Sequence, residues 1–167
     1  MQLAADLGID GQALLTGFIG ELEQLLAGIR LIREISPRVH VKVMALGELM
    51  ASTLGAAYLQ SQGLSVTWTD ARDILQTIDV PHENEQSRYL SASCAFDTDE
   101  SLQNRLASSD GVILTQGFIA RNPDGDSVLL GRGGSDTSAA YFAAKLNAVG
   151  LEIWTDVPGM FSANPHL

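Results

Sequence analysis

The stretch that most limits the fold lies at residues 130–140. There a glycine-rich turn, GRGGSD at 131–136, runs directly into a helix of small residues, Ala139, Ala140, Ala143, Ala144 and Leu146, that ends near Gly150. Upstream, the continuous apolar run Val112, Ile113 and Leu114 has the character of a strand covered on both faces, and hence of a central parallel strand. Residues 118–121 and 127–130 then flank Asn122, Pro123, Asp124 and Gly125, whose turn chemistry fits a hairpin. Downstream, Ile153 and Trp154 read as a strand leading into Thr155 and Asp156. Strand, hairpin, glycine loop, helix and strand, in that order, predict an α/β domain with a largely parallel sheet.

The N-terminal half is more ambiguous. From 11 to 35 the apolar residues Leu14, Phe18, Leu22, Leu25, Ile29 and Ile32 recur every three or four positions, which predicts an amphipathic helix stopped by Ser36 and Pro37. Val39, Val41 and Val43 alternate with His40, Lys42 and Met44, which locally reads as a short strand. A second helix is predicted from Glu48 to about Gln60, with Gly63 as its stop, and a half-buried strand from Leu64 to Trp68. Residues 79–93 are polar and aperiodic and read as a loop. Asp97 is the expected cap of the next helix, with Leu102 and Leu106 packing inward and Asp110 and Gly111 closing it.

Composition narrows the functional classes. A chain of 167 residues is long enough for one hydrophobic core. Its formal charge of −10 and pI near 4.5 repel phosphate backbones and anionic headgroups, so neither nucleic acid nor a membrane surface is an expected partner. No uninterrupted apolar span or signal-like leader is present, which makes the cytoplasm the expected location. Cys94 is the sole cysteine, so an intrachain disulfide is excluded and the residue reads as a small buried hydrophobe. His40, His82 and His166 are too scattered for a zinc motif.

The glycine turn is where chemistry concentrates. Such a turn presents unpaired backbone N–H groups at the positive end of a helix dipole, and so suits a phosphate or carboxylate. Arg132 adds a planar bidentate donor, Ser135 is placed to cap the helix, and Asp136 is placed to favour the dipole or orient a cation. A plain tight loop with a capped helix start fits the same letters. Known phosphate signatures do not: the P-loop needs a lysine where Gly134 precedes Ser135, and the dinucleotide pattern needs a glycine where Asp136 stands. Glu48 has two readings, a first-turn carboxylate that favours the dipole of its helix or an acceptor for a substrate ammonium. Thr155 and Asp156 end a predicted strand, where ligands of open parallel sheets bind, though a plain turn also fits.

Together these pieces resemble the catalytic domain of the aspartokinases, amino-acid kinases that phosphorylate the side-chain carboxylate of aspartate with ATP. The resemblance is carried by GELM at 47–50, TQGFIA at 115–120, LGRGGSDTSAA at 130–140 and EIWTDVPGMFSANP at 152–165, in family order and spacing. It implies a three-layer αβα sandwich with a mainly parallel sheet, and a helical 39–46 in place of the local strand. It further implies L-aspartate and ATP as ligands, Mg2+ carried by the nucleotide, a homo-oligomeric parent, and 4-phospho-L-aspartate made for lysine, threonine and methionine synthesis. Under the resemblance Glu48 contacts the aspartate substrate, Arg132 binds its carboxylate, and Gly133, Gly134 and Ser135 form the same substrate loop. Asp136 resembles the acidic residue that organises substrate or catalytic lysines, and Thr155 and Asp156 start the nucleotide-binding loop.

This sequence departs from the family pattern near its end. Phe161 stands where a tyrosine near the nucleotide is usual, Asn164 replaces an aspartate, and His166 replaces a phosphate-side arginine, which implies a weaker and pH-dependent grip on phosphate. The family's KFGGTS strand, whose lysine neutralises the transferred phosphoryl group, has no counterpart before Gly11. A second lysine and the rest of the nucleotide site lie beyond residue 167. The expectation is therefore a partial catalytic domain over 1–167, incomplete at both ends and without turnover by itself, since phosphoryl transfer depends on cations that offset the developing charge. Another acyl-phosphate-forming kinase, acting on glutamate or a carbamate, and a non-catalytic module of the same fold are the competing expectations.

Overall fold

Short-range capping explains where the helices of this computed structural model begin; the structure describes residues 2–155 and 159. After a short helix α1 (Gln2–Asp6), the Asp10 carboxylate accepts the Ala13 N–H at 3.1 Å and starts α2 (Gly11–Ile32). Arg33 ends α2 in the left-handed conformation, with its N–H returned to the Ile29 carbonyl. Ser36 then caps α3 (Pro37–Ser61) through the Val39 N–H, and Pro37 occupies the first turn. Ser36 and Pro37 thus start a helix as well as following one. The local strand reading of 39–43 is overturned: Val39 and Val43 are one turn apart on α3 and Val41 is fully buried. The helix expected from Glu48 is the second half of the same element.

The α/β expectation with parallel pairing is met by β1 (Val66–Trp68) and β2 (Val112–Leu114), aligned Val66 to Val112 and Trp68 to Leu114. Between them lie α4 (Glu85–Leu90), capped by Asn84 inside the stretch read as a loop, and α5 (Glu100–Ala107). Asp99 caps α5 by accepting the Leu102 N–H at 2.9 Å; Asp97 does not. Among the described residues β2 pairs with β1 alone and Val112 is 51% exposed.

The hairpin is as its turn sequence predicts: β3 (Ile119–Arg121) pairs antiparallel with β4 (Ser127–Leu129). Its period-2 alternation decides the packing. Ile119 and Leu129 join Val41, Ala45 and Leu49 of α3, whereas Ala120 and Val128 face Leu75, Leu102 and Tyr141. The hairpin is therefore the middle layer between α3 and the pair formed by α5 and α6 (Gly134–Leu146). Asp126 fastens its tip, accepting from Arg38 Nε at 2.9 Å and from the Tyr89 hydroxyl at 2.8 Å. Ile153 and Trp154 form no strand among the described residues; Trp154 is 89% exposed and donates its indole N–H to Glu152 Oε2 at 3.2 Å. Among the described residues no helix is long and apolar enough to cross a membrane.

Cys94 sits in the core beside Leu75 and Leu102, and burial pushes its thiol up to about 11. A thiol-specific reagent at pH 8 is accordingly expected to leave the folded chain unmodified and to label it fully on unfolding. Rapid labelling of the native chain contradicts this placement.

Candidate functional site at the carboxyl end of β2

Residues 115–118 leave the carboxyl end of β2 and touch elements on both sides. Gln116 is 2% exposed; its Oε1 accepts the Ala71 N–H at 2.8 Å and its Nε2 donates to Ser52 Oγ of α3 at 2.7 Å. Trp68 Nε1 of β1 donates to the same Ser52 oxygen at 3.0 Å. Ser52 lies one turn beyond Glu48 on the same face of α3. On the other side Gly117 meets the first turn of α6, where a Cβ on Gly117 would lie 3.0 Å from Ser135 Cα. Phe118, at φ 71, donates its N–H to Ser138 Oγ at 3.1 Å and lays its ring against Gly134. One short segment thus ties the Glu48 helix to the glycine loop.

The glycine loop is built to leave donors open. Gly131 and Gly133 adopt φ values of 78 and 72, which L side chains rarely do, and they turn the chain into α6 without a side-chain cap. Ser135 lies inside the helix, so the expected cap by its hydroxyl is absent; Gly133 is the N-cap residue. Among the described residues the N–H groups of Arg132, Gly133, Ser135 and Asp136 have no protein acceptor. Arg132 is exposed and has no ion pair or side-chain hydrogen bond there, and Asp136 is exposed on the first turn. Open amides at a helix N-terminus beside an uncommitted guanidinium can hold a carboxylate or phosphate.

Glu48 is half-buried, and burial holds its carboxyl above the usual carboxylate range. It lies about three turns into α3, too far from the N-terminus for the helix dipole to explain it. No ion pair or side-chain hydrogen bond among the described residues compensates its charge. A group whose folded pKa is raised contributes stability below its unfolded pKa and loses it as pH rises through the folded value. Glu48→Gln is therefore expected to stabilise the chain slightly at neutral pH, with the difference fading as pH falls through the carboxylate range. Melting curves of both chains across that range check the sign.

The sequence profile of the Amino acid kinase family matches residues 10–167. This chain belongs to that family. The amino acid kinase chain is 34% identical to lysine-sensitive aspartokinase 3 of Escherichia coli strain K12 over 88% of its own length and 33% of that protein's. It is also 34% identical to bifunctional aspartokinase/homoserine dehydrogenase 2 of the same strain, over 94% of this chain and 18% of that one. The structure of E. coli aspartokinase III in complex with aspartate and ADP (R-state) superposes with a TM-score of 0.65 at 31% identity, covering 88% of this chain and 33% of that chain. The chain thus spans about a third or less of these relatives.

In this amino acid kinase chain the structure draws the face of α3 that carries Glu48 and the residues Arg132, Gly133, Gly134, Ser135 and Asp136 toward the end of β2. Thr155 is placed in an exposed, irregular segment. Asp156, Phe161 and His166 lie outside the described residues. Sequence reasoning missed Gln116, Ser52 and Phe118. The TQGF string contained two of them, but only the fold shows that its glutamine points inward and that its phenylalanine abuts Gly134.

Proposed function

We propose that this chain is part of the catalytic domain of an aspartate kinase, which transfers a phosphoryl group from ATP to the side-chain carboxylate of L-aspartate. The observation that carries the reading is the set of open N–H groups on the first turn of α6 beside the uncommitted Arg132, tied through Gln116 to the helix that bears Glu48. In this reading Arg132 and the amides of Gly133 and Ser135 grip a substrate carboxylate, while Gly134, whose N–H is donated to the Gly131 carbonyl at 3.0 Å, shapes the same loop. Glu48 receives the α-ammonium group, whose positive charge offsets the burial that raises its carboxyl. Asp136 orients the cationic groups that approach the reacting oxygen. Relatives named as aspartokinases and the aspartate and ADP held by E. coli aspartokinase III support the choice of substrate.

The nucleotide side of the reading rests on Thr155, Asp156, Phe161 and His166, with a cytoplasmic, homo-oligomeric parent. Among the described residues no three His, Cys, Asp or Glu side chains converge. Mg2+ belongs to the reading as an ion carried in on the triphosphate, where it offsets phosphate charge. The test is ADP release by the full reading frame that encodes this chain, with L-aspartate or L-glutamate as acceptor. Aspartate-dependent release is expected; release with glutamate alone, or with neither, overturns the assignment.

A further inference from the structure

The tie between the two walls of the site runs through one side chain whose amide is bonded at both ends. Gln116 is buried, and its orientation is forced. Ser52 Oγ has one hydrogen, which it donates to the Leu49 carbonyl at 3.1 Å, and two lone pairs, one of which accepts from Trp68 Nε1. The remaining lone pair takes an N–H, so Gln116 presents its amide nitrogen to Ser52 and its oxygen to the Ala71 N–H. Every hydrogen bond in this knot fixes every other.

We propose that Gln116 is a positioning residue that sets the separation between Glu48 and the glycine loop, and thereby the length of amino dicarboxylate the site accepts. The inference rests on the proposed roles of Glu48 and Arg132. Its mechanical basis is independent of them. Ser52 is one helical turn from Glu48, so the amide nitrogen of Gln116 holds the face of α3 that carries the carboxylate. Gly117, the next residue, is so close to Ser135 that a Cβ there would lie 3.0 Å from its Cα, so the backbone following Gln116 holds the first turn of α6. A displacement of the amide moves both walls of the site relative to each other. The side-chain hydrogen bonds of Gln116 go to Ala71 and Ser52, not to Glu48 or Arg132, so its influence on a ligand passes through the two walls.

The test is a double-mutant cycle on L-aspartate affinity, measured by calorimetry with the wild-type chain, Glu48→Gln, Gln116→Met and the pair. Glu48→Gln is expected to weaken binding roughly ten-fold or more, as removal of a charged hydrogen-bond partner does. Gln116→Met is expected to weaken it comparably, and the pair to bind no more weakly than Glu48→Gln alone. Losses that simply add, or an unchanged affinity in Gln116→Met, overturn the positioning role while leaving the functional reading intact. An unchanged affinity in Glu48→Gln overturns the functional reading, and the positioning role with it. Where Gln116→Met fails to fold, Ser52→Ala carries the same cycle by removing the acceptor on α3: non-additivity with Glu48→Gln supports the proposal and additivity overturns it. Relative affinity for L-glutamate is the second readout, expected to rise in Gln116→Met as the walls lose their fixed separation; an unchanged ratio counts against the proposal.

Discussion

Arg132→Ala is expected to weaken L-aspartate binding roughly ten- to a hundred-fold while leaving the melting temperature of the chain unchanged. The two halves of that outcome have separate causes. Hydrogen bonds to charged groups contribute about 1.5–3 kcal/mol each, and a guanidinium that meets a carboxylate in a planar fork makes two of them. In the unliganded chain the side chain is exposed and engages no partner among the described residues, so its removal leaves nothing buried and unpaired. Arg132→Lys keeps the charge and loses the fork, and an intermediate affinity is expected. Calorimetric titration paired with thermal melting separates the effects; a loss of stability equal to the loss of binding would make Arg132 a structural residue.

Gly134→Ala is expected to act in the opposite way, through the fold first. A Cβ at this position would lie 2.5 Å from Phe118 Cδ2, 3.3 Å from Phe118 Cα and 3.4 Å from Leu130 Cβ. Phe118 cannot step aside at low cost. Its N–H is held by Ser138 Oγ, its carbonyl accepts the Leu130 N–H at 2.9 Å, and it already occupies a positive φ. Overpacking of this kind costs about 1–3 kcal/mol, against which alanine's better helix propensity returns at most about 1 kcal/mol. A fall of several degrees in melting temperature is expected, together with weaker aspartate binding as the first turn of α6 shifts. Gly133→Ala separates the causes: with open space around its Cβ it meets only the backbone strain of its φ of 72, about 1–2 kcal/mol, and leaves Phe118 in place. An unchanged melting temperature in Gly134→Ala would contradict the close approach of β2's end to α6.

The parts of this fold legible in the sequence are those whose signal is local. Asn122 to Gly125 announce a hairpin by turn chemistry, and Gly131 to Asp136 announce a helix start, because each pattern is complete within a few residues. Where two local patterns coincide, sequence reasoning divides. Three alternating valines at 39–43 satisfy a strand period, yet the Ser36 cap and Pro37 commit the backbone to α3, where Val39 and Val43 share one face and Val41 turns to the buried opposite side. That same commitment removed the dipole explanation for Glu48, since it moved the helix start well upstream. Ile153 and Trp154 carry strand propensity with no paired edge among the described residues, and propensity alone does not order a strand.

The candidate site was half legible for a related reason. Arg132 and the glycines are contiguous, and their open amides follow from the turn itself. The tie that brings the Glu48 helix to them runs through Gln116, which is 64 residues from Ser52 and 45 from Ala71. No periodicity or motif encodes a hydrogen bond across that distance, and a glutamine after a strand reads as an ordinary surface residue until its burial is seen.

The most direct test of the anion cradle is a backbone amide NMR titration of this chain with L-aspartate. The amides of Arg132, Gly133, Ser135 and Asp136 and the carboxyl carbon of Glu48 are predicted to shift along one common binding curve. Shifts confined to other surfaces, or amides at 131–136 that stay fixed at saturating aspartate, would contradict the account.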